Sequence, residues 1–141
     1  MNSNIFHFAV EGGFLKTTLL FYTQILGCEL GPCEPGRWQD IDFWGNELTL
    51  HESPPRMELE AHRHPVENER PYVPHFGIHL SPTDYSVVVR NVSNSVGFLD
   101  QPYSRFSNMS TSQVTFFVAD PNFNVLEIKK MSGDYYKSSM V

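Results

Sequence analysis

Hydrophobic and polar residues alternate with a period of two in several short segments, each bounded by Gly, Pro, Asn or Asp. Alternation of this kind is typical of β-strands that have one buried face. The pair Gly45-Asn46 separates two such runs, which predicts a β-hairpin turn at these residues. The strands predicted in this way span residues 5–11, 28–33, 38–44, 47–51, 75–80, 97–101, 113–119 and 124–130.

Two other segments carry apolar residues at helical spacing. Residues 14–26 place Leu15, Leu19 and Leu26 on one helical face, and Gly27 follows where a C-terminal glycine is common. Residues 83–94 follow Ser81-Pro82, a pair that favours the start of a helix. One helix is therefore predicted in each half of the chain.

The predicted elements occur in the order β-α-β-β-β twice, separated by a connection over residues 53–74 that contains five prolines. This connection is predicted to be irregular, with a helical turn near 57–61. An internal repeat of about 65–70 residues indicates the fold class. We predict an α+β fold in which two βαβββ modules form an open, antiparallel, barrel-like sheet with the helices outside. The 141 residues would form a single domain, with module one at about 4–52, module two at about 75–131 and a polar tail at 132–141.

Composition narrows the classes of function. The formal net charge of -6 disfavours binding to nucleic acid, because an acidic protein repels phosphate backbones. The chain has no run of 18 apolar residues and no apolar leader, so we expect no membrane association and a cytoplasmic location. Cys28 and Cys33 could form half of a zinc site, but no second cysteine pair exists, and we predict reduced thiols.

Three residues able to bind a metal ion fall at related positions of the repeat. His7 lies in the first strand of module one, His75 at the start of the first strand of module two, and Glu127 in the last strand of module two. A Glu within an apolar strand is costly unless it is paired or bound to a cation. Two imidazoles and one carboxylate can occupy one face of an octahedron and leave three positions open, a set that suits Fe(II), Mn(II), Zn(II), Ni(II) or Co(II).

The segments IFHFAV, FYTQILGCELG, HFGIHL and DPNFNVLEIKK resemble the vicinal oxygen chelate superfamily, which includes glyoxalase I, the fosfomycin-resistance proteins and the extradiol dioxygenases. The resemblance covers about residues 4–131 and is strongest to a small group of extradiol-type dioxygenases. It implies that His7, His75 and Glu127 hold one divalent metal ion, with Fe2+ favoured and Mn2+, Ni2+, Zn2+ or Co2+ as alternatives. It also implies a small-molecule substrate and a homodimer.

The sequence departs from the pattern of that superfamily in two respects. Phe123 stands where the turn before the last strand commonly has Gly. The well-known extradiol dioxygenases usually have twice as many modules, and in size the chain is equally similar to glyoxalase I.

Further polar residues are candidates for catalysis or substrate binding. His79 lies on the same strand face as His75 and is either a general base or an ordinary pocket histidine. His51 and Thr49 are candidates for a fourth metal ligand, and His51 is also a candidate base. Arg105 either clamps a substrate carboxylate or forms a surface ion pair. The weaker pocket candidates are Tyr103, Gln113 and Trp44, whereas exposure to solvent is expected for His62 and His64.

Three functional hypotheses follow. The first is a metal-dependent enzyme that binds its substrate through vicinal oxygens, with extradiol-dioxygenase-like chemistry. The second is a glyoxalase- or epimerase-like enzyme in which His79 or His51 transfers a proton. The third is a non-catalytic protein of the same fold that binds a small molecule.

Overall fold

The computed structural model describes residues 4–66, 69–105 and 113–130, so the predicted tail at 132–141 lies outside the described residues. Most of the described secondary structure is β-strand. The strands are β1 (His7–Gly13), β2 (Glu29–Glu34), β3 (Trp38–Phe43), β4 (Asn46–Glu52), β5 (His62–Arg63), β6 (Tyr72–Val73), β7 (Phe76–Leu80), β8 (Asp100–Arg105), β9 (Gln113–Ala119) and β10 (Val125–Lys130). The helices are α1 (Leu15–Leu20), which continues as a π-helical turn (Phe21–Ile25), and α2 (Pro82–Ser93).

The α+β class and the repeated order of elements are confirmed. The chain divides into two compact units, one of Met1–Glu60 with Asp120–Asn124 and one of Ala61–Ala119 with Val125–Val141. The first unit contains a sheet in the order β1-β4-β3-β2, and the second contains a sheet in the order β7-β10-β9-β8.

The prediction of all-antiparallel sheets was wrong. β1 pairs with β4 in parallel, and β7 pairs with β10 in parallel, so each four-stranded sheet is mixed. The reason is topological. A helical crossover after β1 lets β2 run in the same direction as β1, and two antiparallel reversals then make β4 parallel to both. Among the described strands, the pairing gives two four-stranded sheets and one two-stranded sheet, which consists of β5 and β6, and no closed barrel.

The helix predicted at residues 14–26 is confirmed over residues 15–25, but only its first part is α-helical. Its α-helical part ends at Leu20, and the next turn is π-helical, with the Leu26 N–H donating to the Phe21 carbonyl at 3.0 Å. Gly27 then takes a φ of 81°, as its predicted place after the helix requires. This turn places the fully buried Tyr22 in the core of the first unit.

The hairpin between β3 and β4 turns one residue earlier than predicted. Trp44 and Gly45 both have positive φ, at 48° and 89°, and Asn46 already begins β4. Positive φ at both central residues is typical of the tight turns that join twisted antiparallel strands. Trp44, proposed above as a weak pocket candidate, is therefore a turn residue.

The described part of the connection over residues 53–74 contains more regular secondary structure than predicted. The helical turn expected near 57–61 is absent, since residues 57–58 form only a bend, and β5 and β6 form a small hairpin instead. Arg63 of β5 donates to both carboxylate oxygens of Asp100 on β8, each at 2.6 Å. The guanidinium group of Arg63 also lies 4.0 Å from the centre of the Tyr72 ring.

The second helix agrees with its prediction. The Ser81 side chain accepts a hydrogen bond from the Asp84 N–H at 3.2 Å, and Pro82 occupies the first turn. The strand predicted at 97–101 begins later, at Asp100. Gly97 still belongs to the helix end, with a φ of 75° and its N–H bonded to the Val92 carbonyl at 2.9 Å.

A polar turn at Asp120–Asn124 joins β9 to β10. Asp120 is 3% exposed, and its Oδ1 accepts the backbone N–H groups of Asn122 at 2.8 Å and Asn124 at 2.9 Å. Its Oδ2 accepts the Tyr22 hydroxyl at 2.7 Å. Phe123 has a φ of 63°, which lies in the left-handed region. Gly is common at this position in the superfamily that the sequence resembles, and here a residue with a side chain adopts the same backbone conformation.

We expect Tyr22→Phe to lower the free energy of unfolding by about 2 kcal/mol, because a buried hydrogen bond to a carboxylate is lost. Burial, followed by the charge of Asp120, raises the pKa of Tyr22 well above its ordinary value, so the hydroxyl remains a donor. The matched control is Tyr85→Phe, since the Tyr85 hydroxyl is buried and has no hydrogen-bond partner among the described residues. Equal denaturation midpoints for the two variants would contradict the expectation.

Candidate metal centre

Glu127 is a carboxylate buried in the middle of β10. Its neighbours Leu126 and Ile128 have 0% exposure, and Glu127 itself has 3%. In the sheet, Glu127 pairs with Gly77 of β7 on one side and with Phe117 of β9 on the other. The strand therefore holds this carboxylate on the face opposite to Leu126 and Ile128, as the alternation predicted.

Four polar groups surround the Glu127 carboxylate. Thr115 Oγ1 donates to Oε2 at 2.7 Å, and His75 Nε2 lies 3.1 Å from Oε1. Lys129 Nζ lies 3.7 Å from Oε1, and Arg105 Nη1 lies 3.6 Å from Oε2. Burial raises the pKa of Glu127, but His75, Lys129 and Thr115 together lower it below its ordinary value. The side chain is therefore an ionised carboxylate at neutral pH.

The ring of His75 is oriented by the backbone. Its Nδ1 lies 2.5 Å from the carbonyl oxygen of Tyr72, which assigns the Nδ1 proton to that bond and turns Nε2 toward Glu127. Histidines that bind metal ions usually donate their second ring N–H to a carbonyl or carboxylate in this way. The hydrogen bond to Glu127 raises the pKa of His75, against the opposing effect of burial.

His75 and Glu127 both line a cavity of about 210 Å³. Gly77 is needed there because a Cβ at this position would lie 1.7 Å from the Glu127 carbonyl oxygen. The backbones of β7 and β10 thus approach closely beside the carboxylate. The lining residues are His75, Phe76, Gly77, Ile78, His79, Glu127 and Lys129.

His7 lies in the first unit, on β1. Its Nδ1 is 2.7 Å from Glu47 Oε1, and its side chain is 56% exposed. The Glu47 carboxylate contacts Nδ1 of the His7 ring and leaves Nε2 of His7 for another partner. The Tyr72 carbonyl orients the ring of His75 in the same way. Sequence reasoning missed Glu47. The signal was present, because Glu47 shares the strand face of Thr49 and His51, both of which were considered as ligands.

The second unit also holds the predicted substrate-binding residues. Arg105 Nε lies 2.6 Å from Glu69 Oε2, another partner that sequence reasoning missed, and the Arg105 side chain is only 12% exposed. Burial and then the charge of Glu69 raise the pKa of Tyr103, also on β8, to about 12, so its phenol is neutral. Gln113 pairs with Arg105 in the sheet and is 3% exposed.

The two candidate bases differ in their surroundings. His79 lines the cavity with His75 and Glu127, and burial followed by the charge of Lys129 lowers its pKa. His51 is exposed on β4, opposite Trp38, in the first unit. The hydroxyl of Thr49 donates to Asp40 Oδ1 at 2.5 Å, so it is already engaged.

Several further predictions can be compared with the structure. His62 and His64 are exposed, and both cysteines are free thiols, as expected. In the described part of the chain, no three His, Cys, Asp or Glu side chains converge as a metal-binding group. No described helix is both long and apolar enough to cross a membrane.

No protein-family model and no curated protein sequence matches the chain. Among solved structures, a glyoxalase/bleomycin resistance protein/dioxygenase from Alicyclobacillus acidocaldarius is 27% identical, with a TM-score of 0.71 and 94% of each chain covered. The fosfomycin resistance protein FosX from Listeria monocytogenes is 12% identical, with a TM-score of 0.63 and coverage of 96% of this chain and 98% of FosX. A FosX mutant complexed with Mn(II) and a dihydroxypropylphosphonic acid is 11% identical, with a TM-score of 0.69 over 100% of both chains.

These neighbours are proteins of the vicinal oxygen chelate superfamily, and the chain has the fold of that superfamily. The resemblance based on the sequence segments is thereby confirmed. In the FosX complex, this fold holds a divalent metal ion and a small molecule.

Proposed function

We propose that the protein is a metal-dependent enzyme that binds a small substrate through vicinal oxygens, with His7, His75 and Glu127 as the metal ligands. The observation that carries the proposal is the pairing of His75 Nε2 with the buried Glu127 carboxylate at 3.1 Å. Both groups are already oriented, His75 by the Tyr72 carbonyl and Glu127 by Thr115. An imidazole and a carboxylate held in this way fit a divalent cation.

The metal ion, with Fe2+ favoured and Mn2+, Ni2+, Zn2+ or Co2+ as alternatives, would polarise the substrate oxygens as a Lewis acid. The remaining chemistry is assigned to side chains of the protein. Arg105 binds a negatively charged part of the substrate through its planar guanidinium group. Tyr103 donates from a phenol that stays neutral, and Gln113 supplies an amide beside Arg105.

An extradiol-dioxygenase-like reaction, in which O₂ cleaves a catechol ring next to its hydroxyl groups, is the activity we favour. Three protein ligands suit this chemistry because they leave room for both reactants. Protein loaded with Fe(II) under nitrogen and mixed with a panel of catechols should consume one O₂ per ring cleaved, and Glu127→Gln should consume none. No oxygen uptake with any catechol by metal-loaded protein would contradict the dioxygenase assignment.

A proton-transfer enzyme of the glyoxalase or epimerase type is the second candidate, and the position of His79 favours it. His79 lines the same cavity as Glu127, and its lowered pKa keeps its imidazole neutral and able to accept a proton. We expect such an enzyme to exchange a substrate C–H proton with solvent deuterium. Exchange that persists when both His79 and His51 are replaced by Gln would exclude these residues as the base.

A non-catalytic binding protein is the third candidate, and the oriented His75–Glu127 pair speaks against it. Tight binding of a small molecule to metal-free protein would favour it. We also propose that the protein forms a homodimer, which sedimentation equilibrium can test.

Metal affinity should fall as the pH is lowered, beginning above the ordinary imidazole pKa. The hydrogen bond to Glu127 raises the pKa of His75, so metal-free protein keeps a proton on this ring to a higher pH than usual. A metal ion must displace that proton, which costs up to about tenfold in affinity per pH unit below the raised pKa. Titrations with Mn2+ between about pH 8.5 and about pH 5.5 test this. Constant affinity down to about pH 6 would contradict it.

A further inference from the structure

Lys129 is a cation at the candidate metal centre to which no role has yet been assigned. It follows Glu127 by two residues on β10 and lines the same cavity as His75 and His79. Its side chain is only 22% exposed, so it lies along the cavity rather than extending into water. A lysine that merely improves solubility would more commonly be extended and hydrated.

Within the described ranges, no partner of Lys129 forms a hydrogen bond of normal length with its ammonium group. Its ion pair with Glu127 Oε1 is 3.7 Å long, which exceeds hydrogen-bond length. Glu127 is already engaged by closer donors, Thr115 at 2.7 Å and His75 at 3.1 Å. Among the described residues that line the cavity, Glu127 is the only acidic one. As far as the described residues are concerned, the three donors of Lys129 are therefore available to an acceptor that enters the cavity.

The charges around the cavity favour a negatively charged ligand. The charge of Arg105, the other proposed substrate-binding cation, is offset by Glu69, whose Oε2 lies 2.6 Å from Nε, one of the donor nitrogens of the guanidinium group. Lys129 has no carboxylate at hydrogen-bond distance in the described part of the chain. A divalent ion bound by two neutral imidazoles and Glu127 would add one net positive charge to the site. That charge and the charge of Lys129 would both favour an anionic ligand.

We propose that Lys129 is a substrate-binding residue that pairs with an ionised oxygen of a small anionic oxyacid, while neighbouring oxygens of the same molecule bind the metal ion. This inference rests on the proposed metal centre and specifies the substrate class that the centre accepts. It predicts that, among catechols or other chelating substrates of similar size, those that carry an anionic group bind more tightly than neutral ones.

Lys130 provides a matched control. It is the next residue on the same strand, it carries the same charge, and its Nζ lies 5.9 Å from the centre of the Tyr85 ring of α2. Replacement of either lysine by Met removes one positive charge and preserves much of the side-chain volume. Only Lys129 lines the cavity.

The test uses Mn2+ to load the protein and oxalate, a dianion with vicinal oxygens, as the probe in calorimetric titrations. Lys129→Met should weaken oxalate binding by about tenfold or more, because a charge-assisted hydrogen bond is lost. Lys129→Arg should retain most of the affinity for oxalate, and Lys130→Met should retain all of it. The affinity for Mn2+ itself should stay constant or rise in Lys129→Met, because a cation near Glu127 is removed.

The possible failures are distinguishable. Unchanged oxalate affinity in Lys129→Met, equal losses in Lys129→Met and Lys130→Met, or no oxalate binding to Mn2+-loaded wild type would each overturn the role of Lys129. No uptake of Mn2+ by the wild type would contradict the proposed metal centre, and the inference would fall with it.

Discussion

Replacement of Glu127 by Gln should lower the affinity for divalent metal ions by about 100-fold or more, since even the groups that merely orient metal ligands contribute 10–100-fold. Gln has nearly the same shape and can still accept the Thr115 hydroxyl, which now donates to Glu127 at 2.7 Å. It lacks the charge that attracts a cation, and its amide is a much poorer ligand than a carboxylate. Isothermal titration with Mn2+ or Zn2+ at about pH 8 measures the loss.

The matched control for this experiment is Glu58→Gln. Glu58 is exposed in the connection that precedes β5, and its replacement changes the net charge of the protein by the same amount. We expect wild-type metal affinity in Glu58→Gln and a wild-type circular dichroism spectrum in both variants. Equal metal affinity in Glu127→Gln and Glu58→Gln would show that Glu127 is not a ligand.

Gly77→Ala should lower the free energy of unfolding by about 3 kcal/mol, at the upper end of the range for overpacked sites. The added Cβ would lie 1.7 Å from the carbonyl oxygen of Glu127 and 2.7 Å from its carbonyl carbon. The obstructing atoms belong to the backbone, so no side-chain rotation relieves the contact, and β7 must separate locally from β10. The same shift would displace the Glu127 carboxylate, so under the proposed metal centre it would also reduce metal affinity.

Gly31→Ala on β2 is the control for the glycine experiment. There the nearest atom to the new Cβ is the Asp40 Cβ at 3.3 Å, which a small adjustment can accommodate. Urea denaturation should therefore show a large shift of the midpoint for Gly77→Ala and a shift worth less than about 1 kcal/mol for Gly31→Ala. A midpoint for Gly77→Ala equal to that of the wild type would mean that the strands can separate without cost.

The local elements of the fold could be predicted from sequence because their signals lie within a few residues. The alternation at Gln113–Ala119 gave the bounds of β9, and Ser81-Pro82 marked the start of α2. The parallel pairings could not be predicted in this way. Periodicity identifies a strand but not its neighbour, and the partner of β1 in the sheet, β4, begins at Asn46, after two intervening strands.

The candidate site, like the fold, has parts that could be predicted from the sequence and parts that could not. The candidate ligands His75 and Glu127 were predicted from the sequence, and the structure places their side chains 3.1 Å apart. The groups that orient the candidate ligands were harder to predict. The strand face that Glu47 shares with Thr49 and His51 was visible in the sequence, but its pairing with His7 depends on the parallel contact of β1 with β4. The Tyr72 carbonyl beside His75 belongs to the backbone and leaves no side-chain pattern. The short β5–β6 hairpin was missed for a related reason. The ion pair from Arg63 that holds it is made with Asp100, which is 37 residues away.

The most direct test of the metal centre is the metal content of wild-type protein purified without chelator or affinity metal and then reconstituted separately with Fe2+, Mn2+, Ni2+, Zn2+ and Co2+. Inductively coupled plasma mass spectrometry should find about one equivalent of metal per chain with at least one of these ions, and much less in His7→Ala, His75→Ala and Glu127→Gln. Retention of one equivalent by all three variants would contradict the assigned ligands. No retained metal in wild-type protein with any of the five ions would contradict the metal centre itself.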